Sequence, residues 1–188
     1  MKGDLETRVF GVHSLERRVE GKAGRLVGYA ARFNEPAVIA GRWREQVAPG
    51  TFARAIARDD VHALIEHDFG KIIGRNRSGT LRLQEDENGL RVEVDLPDTQ
   101  LGRDLAVEIE RGDRDQMSFG FLATRDAWDY ETEPLPTRTI QEVELFDVSV
   151  VGRGAYDTTS VALRSLDRHQ RAAIREKMLS AIESRIKR

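Results

Sequence analysis

Gln116-Met117-Ser118-Phe119-Gly120-Phe121 decides how this chain is read. Its period-two alternation puts Met117, Phe119 and Phe121 on one face of a strand, and Ser118, Gly120 and Leu122 on the other. A serine set in an apolar strand is ordinarily a small polar residue bonded to backbone. Two further segments change the reading. Upstream, Leu64-Ile65-Glu66-His67-Asp68, followed by Ile72-Ile73-Gly74-Arg75, runs an apolar strand into a histidine. Downstream, Leu145-Phe146-Asp147-Val148-Ser149-Val150-Val151 interrupts an apolar strand with a carboxylate. Burying that carboxylate is unfavourable unless it is paired. Serine, histidine and acid presented in this way are the parts of a nucleophilic hydrolase. Ser118 and His67 are therefore the candidate nucleophile and base. Asp147 is the candidate orienting acid, with Glu142 and Glu144 as competitors. Gly120 is expected to let a substrate backbone come close.

Other serine and histidine chemistries fit less well. Gln116 stands where the first glycine of a G-x-S-x-G elbow belongs, which excludes the α/β-hydrolase arrangement. His62 and His67 fall on opposite faces of one strand and no His-x-x-x-His is present, so no metal site is expected. His13 lies in a loosely patterned N-terminal stretch and His169 in a C-terminal helix, so neither is a catalytic candidate.

Around these segments the chain reads as many short strands and a few helices. Arg25 to Phe33 and Trp43 to Val47 are strands, and Asn34, Glu35 and Pro36 break the first. Thr51 is the expected N-cap of a helix from Phe52 to Ala57. Leu81 to Leu83 and Leu90 to Leu96 form a hairpin about Glu87-Asn88-Gly89. Asp98 or Thr99 caps a helix whose apolar stripe is Leu101, Leu105 and Ile109, and Gly112 ends it. Residues 124–138 are polar and acidic, an exposed loop or ragged hairpin. From about Ser165, Leu166, Gln170, Ile174, Met178, Ile182 and Ile186 recur every four residues, an amphipathic helix with a basic end. The fold class is α+β: a β-barrel or curled, mostly antiparallel sheet with flanking helices, plus the C-terminal helix.

Composition narrows the function further. A chain of 188 residues fits one domain with a tail, and that size buries roughly 70% of its unfolded surface. It has no cysteine, so disulfides and thiolate zinc sites are excluded and a reducing compartment fits. Thirty basic and 32 acidic residues give a net charge of −2, which argues against a general nucleic-acid grip. No eighteen-residue apolar run or signal-like N-terminus occurs, so a soluble cytoplasmic protein away from membranes is expected.

In the order and spacing of these segments the chain resembles the prohead proteases of tailed phages, serine proteases of capsid maturation whose fold is similar to the herpesvirus assemblin protease. The resemblance covers roughly residues 24–160. It rests on the His67 segment with Ile73-Gly74-Arg75, Asp98-Thr99-Gln100-Leu101-Gly102-Arg103, Met117-Ser118-Phe119-Gly120-Phe121, and Glu144 to Val151. It implies an N-terminal extension over 1–24, a protease domain over 25–163, and a docking or removable helix over 164–188. It carries the catalytic histidine onto His67, the nucleophile onto Ser118, and the third member, usually a glutamate, onto Asp147. Gly152-Arg153-Gly154-Ala155 replaces the family's Phe-Pro-Ala turn, and a backbone N–H of this loop is the candidate oxyanion donor. No cofactor is implied. The implied substrate is the scaffolding segment of the major capsid protein, or a separate scaffold, cut inside the assembling prohead in the host bacterial cytoplasm. Self-cleavage and a homodimer are implied as well. The rival readings are a non-catalytic scaffold or assembly protein on the same fold, and, more weakly, a nucleic-acid-binding barrel.

Overall fold

The computed structural model describes residues 5–9, 16–18 and 24–152. The expected C-terminal helix, His13, His169 and Arg153-Gly154-Ala155 lie outside the described residues. In chain order the elements are β1 (Glu6–Arg8), β2 (Glu16–Arg18), β3 (Arg25–Arg32), β4 (Ala37–Ile39), β5 (Trp43–Val47), α1 (Ala53–Arg58), β6 (His62–Ile65), β7 (Asp68–Arg75), β8 (Leu81–Glu85), β9 (Gly89–Asp95), α2 (Gln100–Glu110), β10 (Gln116–Asp129) and β11 (Thr137–Val151).

The strands form two open sheets. One holds seven strands, ordered β1-β10-β11-β5-β4, with β6 beside the C-terminal half of β11 and β7 beside β6. The other is four-stranded, ordered β2-β3-β9-β8. Most pairings are antiparallel, but β11 runs parallel to both β5 and β6. The α+β class holds, and of the two expected forms, barrel or curled sheet, no closed barrel is present among the described residues. Between β3 and β5 there is one isolated bridge, Phe33 to Val47, because Asn34 takes a left-handed conformation (φ 57°) and turns the chain away. Apolar side chains of both sheets meet in one core. Leu26, Leu90, Val92 and Val94 come from the smaller sheet, and Phe119, Phe121, Leu145, Val148 and Val150 from the larger. Phe52, just ahead of α1, packs edge-on against Phe119 with ring centroids 5.3 Å apart.

Local signals explain the helices, with one correction. Thr99 caps α2 by accepting from the Gly102 N–H at 3.3 Å, and Gly112 (φ 76°) follows its last turn. Thr51 does not cap α1. It is buried, and its hydroxyl lies 2.6 Å from the Ala48 carbonyl and 3.0 Å from that of Ile140. The carboxylate of Glu85, arriving from β8, accepts instead from the Phe52 N–H at 2.7 Å. Residues 124–138 are a hairpin: β10 continues to Asp129, β11 starts at Thr137, and 130–136 make the tip.

Candidate active site

β10, β11 and β6 lie side by side, and the three sequence-predicted residues come together from β10, from β11 and from the turn after β6. Ser118 on β10 stands opposite Ser149 on β11, and Gly120 opposite Asp147. Beyond Gly120 the register slips, and Phe121 faces Leu145. This bulge leaves Phe146 exposed at 38% while Leu145 and Asp147 are both buried. An unbroken two-residue period could not bury both neighbours of Phe146 on opposite faces in that register. The slip therefore puts a carboxylate on the serine's face and keeps leucine in the core.

His67 comes from a place the sequence did not indicate. It is not the end of β6. Glu66 and His67 are the two central residues of a tight turn between β6 and β7, flanked by the Ile65–Asp68 pair. Both are left-handed, with φ of 54° and 57°. Such turns favour Asn-Gly, so a Glu-His pair stores backbone strain at this point. Contacts hold the turn in place. The Glu66 carboxylate accepts from Arg114 and from the Gly152 N–H, the latter at 2.9 Å. The His67 N–H donates to Ser149 Oγ at 3.2 Å.

The ring of His67 then bridges the other two groups. Its Nδ1 is 2.7 Å from Asp147 Oδ1, and its Nε2 is 2.7 Å from Ser118 Oγ. A carboxylate at Nδ1 fixes the proton there and leaves the Nε2 lone pair for the serine hydroxyl. Ser149 Oγ also donates to Asp147 Oδ1, at 2.6 Å. Asp147 and Ser118 are almost wholly buried, whereas the His67 side chain keeps 18% exposure. Of the competing acids, Glu142 accepts from Arg54 on the surface, and Asp147 alone of the three is hydrogen-bonded to His67. Gly120 faces Asp147, so its role is room for the carboxylate as well as any closeness to a substrate: a β-carbon there would stand 2.1 Å from Asp147 Oδ2.

Sequence reasoning missed several contributors. Ser149 read as another small strand residue, although its spacing of two from Asp147 puts both on one face. Glu66 and Arg114 gave no signal, since their pairing depends on the turn. Arg8 was also missed: its main-chain carbonyl accepts from Ser118 Oγ at 2.9 Å. The expected oxyanion loop is met only at Gly152, whose N–H is already donated to Glu66. Among the described residues no cluster of His, Asp or Glu could hold a metal ion, and no helix is long and apolar enough to cross a membrane.

A serine, an imidazole and a buried carboxylate in hydrogen-bonded series form the constellation that serine hydrolases use. The chain belongs to the family of Caudovirus prohead serine proteases, whose model matches residues 13–172. That span contains Ser118, His67 and Asp147. Membership makes the chain one of a family of serine peptidases and supports a role in phage capsid maturation, with capsid proteins, inside the assembling prohead. No curated protein and no solved structure matches the chain.

Proposed function

We propose that the chain is a serine endopeptidase that cuts the scaffolding segment of a major capsid protein, or a separate scaffold, and that Ser118, His67 and Asp147 carry the reaction. The observation behind this reading is the pair of 2.7 Å contacts that His67 makes to Ser118 and Asp147. Ser118 Oγ attacks the peptide carbonyl carbon as its proton passes to His67 Nε2. The C–N bond then breaks, the leaving amine takes that proton, and an acyl-enzyme on Ser118 remains. Water attacks the acyl carbon, giving its proton to His67, which returns it to Ser118 as the acid departs. Asp147 keeps Nδ1 protonated and stabilises the imidazolium formed at each stage. Ser149 and Gly120 support Asp147, the first by donating to it and the second by leaving it space.

Confinement with substrate in a shell raises effective concentration to about the millimolar range, so a weakly binding protease suffices there. Self-cleavage and homodimer formation belong to the same proposal. The alternative, a non-catalytic assembly protein on this fold, draws on one observation, the burial of Ser118. Co-expression with the cognate capsid protein separates them. Truncation by the wild type and none by Ser118→Ala supports the protease. Full-length capsid protein in assembled shells with both supports the alternative.

A further inference from the structure

A strand from the N-terminal stretch lies against Ser118. β1 runs antiparallel along the edge of β10, with Arg8 opposite Phe119, Thr7 opposite Gly120 and Glu6 opposite Phe121. An extended peptide added to a sheet edge lies in the same way. The Arg8 carbonyl oxygen sits 2.9 Å from Ser118 Oγ. A hydroxyl has one proton to give, so the Arg8 carbonyl competes with His67 Nε2 for it. The pose is also the wrong way round for chemistry. Attack needs the carbonyl carbon toward Oγ and the oxygen toward separate donors, whereas here the oxygen faces Oγ. β1 also lies ahead of the residues matched by the family, which begin at 13.

The side chains of β1 hold it there. Glu6 and Arg8 project from one face of the strand, and the Arg8 guanidinium lies over the Phe121 ring, 5.7 Å from its centroid. Arg8 pairs with Glu6 at 2.5 Å and with Glu45, a residue of β5 with no exposure. Arg138 on β11 joins Glu45 at 2.9 Å, Glu6 at 2.8 Å and Asp126 at 2.6 Å. Without β1, Glu45 keeps one guanidinium partner among the described residues, Arg138. A buried carboxylate deprived of a cationic partner is unfavourable, so that site takes a strand bringing a basic side chain.

We infer that β1 is an internal blocking strand on the substrate edge of β10, and that Glu45 selects substrates with an arginine or lysine where Arg8 now lies. This rests on the reading of Ser118 as the nucleophile. A capsid or scaffold segment with a basic residue beside its cleaved bond displaces β1, uncovers Ser118 and leaves its proton to His67 alone.

Two measurements on the full chain test the inference. The first is the rate at which a fluorophosphonate labels Ser118. Arg8→Ala removes the anchor of β1, and labelling should rise at least tenfold with the circular dichroism spectrum retained. The second uses the wild type and needs no variant to fold. In a position-scanned peptide set, substrates with Arg or Lys beside the cleaved bond should be cut at least tenfold faster than those with Leu or Glu. Glu45→Gln should narrow that ratio. Unchanged labelling in a folded Arg8→Ala protein overturns the blocking role, and absence of a basic preference overturns the selection. Either result leaves the protease reading standing, because that reading falls only if Ser118→Ala leaves capsid cleavage unchanged.

Discussion

Asp147 Oδ2 occupies the space in front of Gly120, 2.1 Å from where a β-carbon on that glycine would stand. The two residues are cross-strand partners, and the carboxylate is held in place by its hydrogen bonds to His67 and Ser149. Gly120→Ala should push the carboxylate off His67. A displacement of about 1 Å in a catalytic group lowers the rate by roughly 100-fold. The expected outcome is that loss in kcat for a scaffold peptide, with the protein still folded by circular dichroism.

Asp147→Asn keeps the shape and loses the charge. An amide can present its NH2 to Nδ1 and leave the imidazole in the wrong tautomer, and in serine proteases of another fold the equivalent change lowers kcat by about 10⁴-fold. A fall of several thousandfold is expected here. Glu142→Gln removes the half-buried partner of the exposed Arg54, away from His67, and should change kcat less than about twofold, since such surface pairs contribute only ~0–1 kcal/mol. Steady-state kinetics of the two variants side by side checks the assignment of the acid.

Ser149→Ala removes one hydroxyl that accepts from the His67 N–H and donates to Asp147. A buried carboxylate short of one hydrogen bond loses about 1–3 kcal/mol. Urea denaturation should show a loss of that size. The rate should fall much less than with Ser118→Ala, because the ring contacts of His67 persist.

Acid should weaken the anchorage of β1. Burial opposes the charge on Glu45, but the guanidiniums of Arg8 and Arg138 outweigh it and hold its carboxyl below the usual value of 4.5. The folded state thus binds this proton less readily than the unfolded chain. The stability contributed by Glu45 is complete above 4.5 and is lost as pH falls through the lower folded value. The wild-type denaturation midpoint should drop between pH 5 and pH 3. In Glu45→Gln that part of the drop should be absent.

Much of the site was legible because alternation is a strong signal. Ser118 and Asp147 each stand out as a polar residue in an apolar strand, and His67 follows another by two residues. The hairpin of β8 and β9 and the cap at Thr99 were legible for similar local reasons. What was hidden depends on tertiary geometry. The bulge at Phe146 leaves no mark in the sequence, nor does the left-handed turn at Glu66 and His67, where no glycine or asparagine announces it. Thr51 satisfied the local rule for a cap, but its hydroxyl found buried carbonyls. Of the barrel and curled-sheet alternatives only the closed barrel failed, because closure depends on strand pairing beyond Phe33, which alternation does not specify. β1 was read as a loose extension, since three residues carrying two charges resemble surface until Glu45 and Arg138 are placed against them.

The most direct test of the account is to trap the nucleophile. The wild-type chain, His67→Ala and Ser118→Ala would be incubated with a fluorophosphonate, and intact mass and peptide mapping would locate any adduct. One adduct on Ser118 is expected in the wild type, a strongly slowed reaction in His67→Ala, and none in Ser118→Ala. An adduct on a different serine, or capsid cleavage that persists in Ser118→Ala, would contradict it.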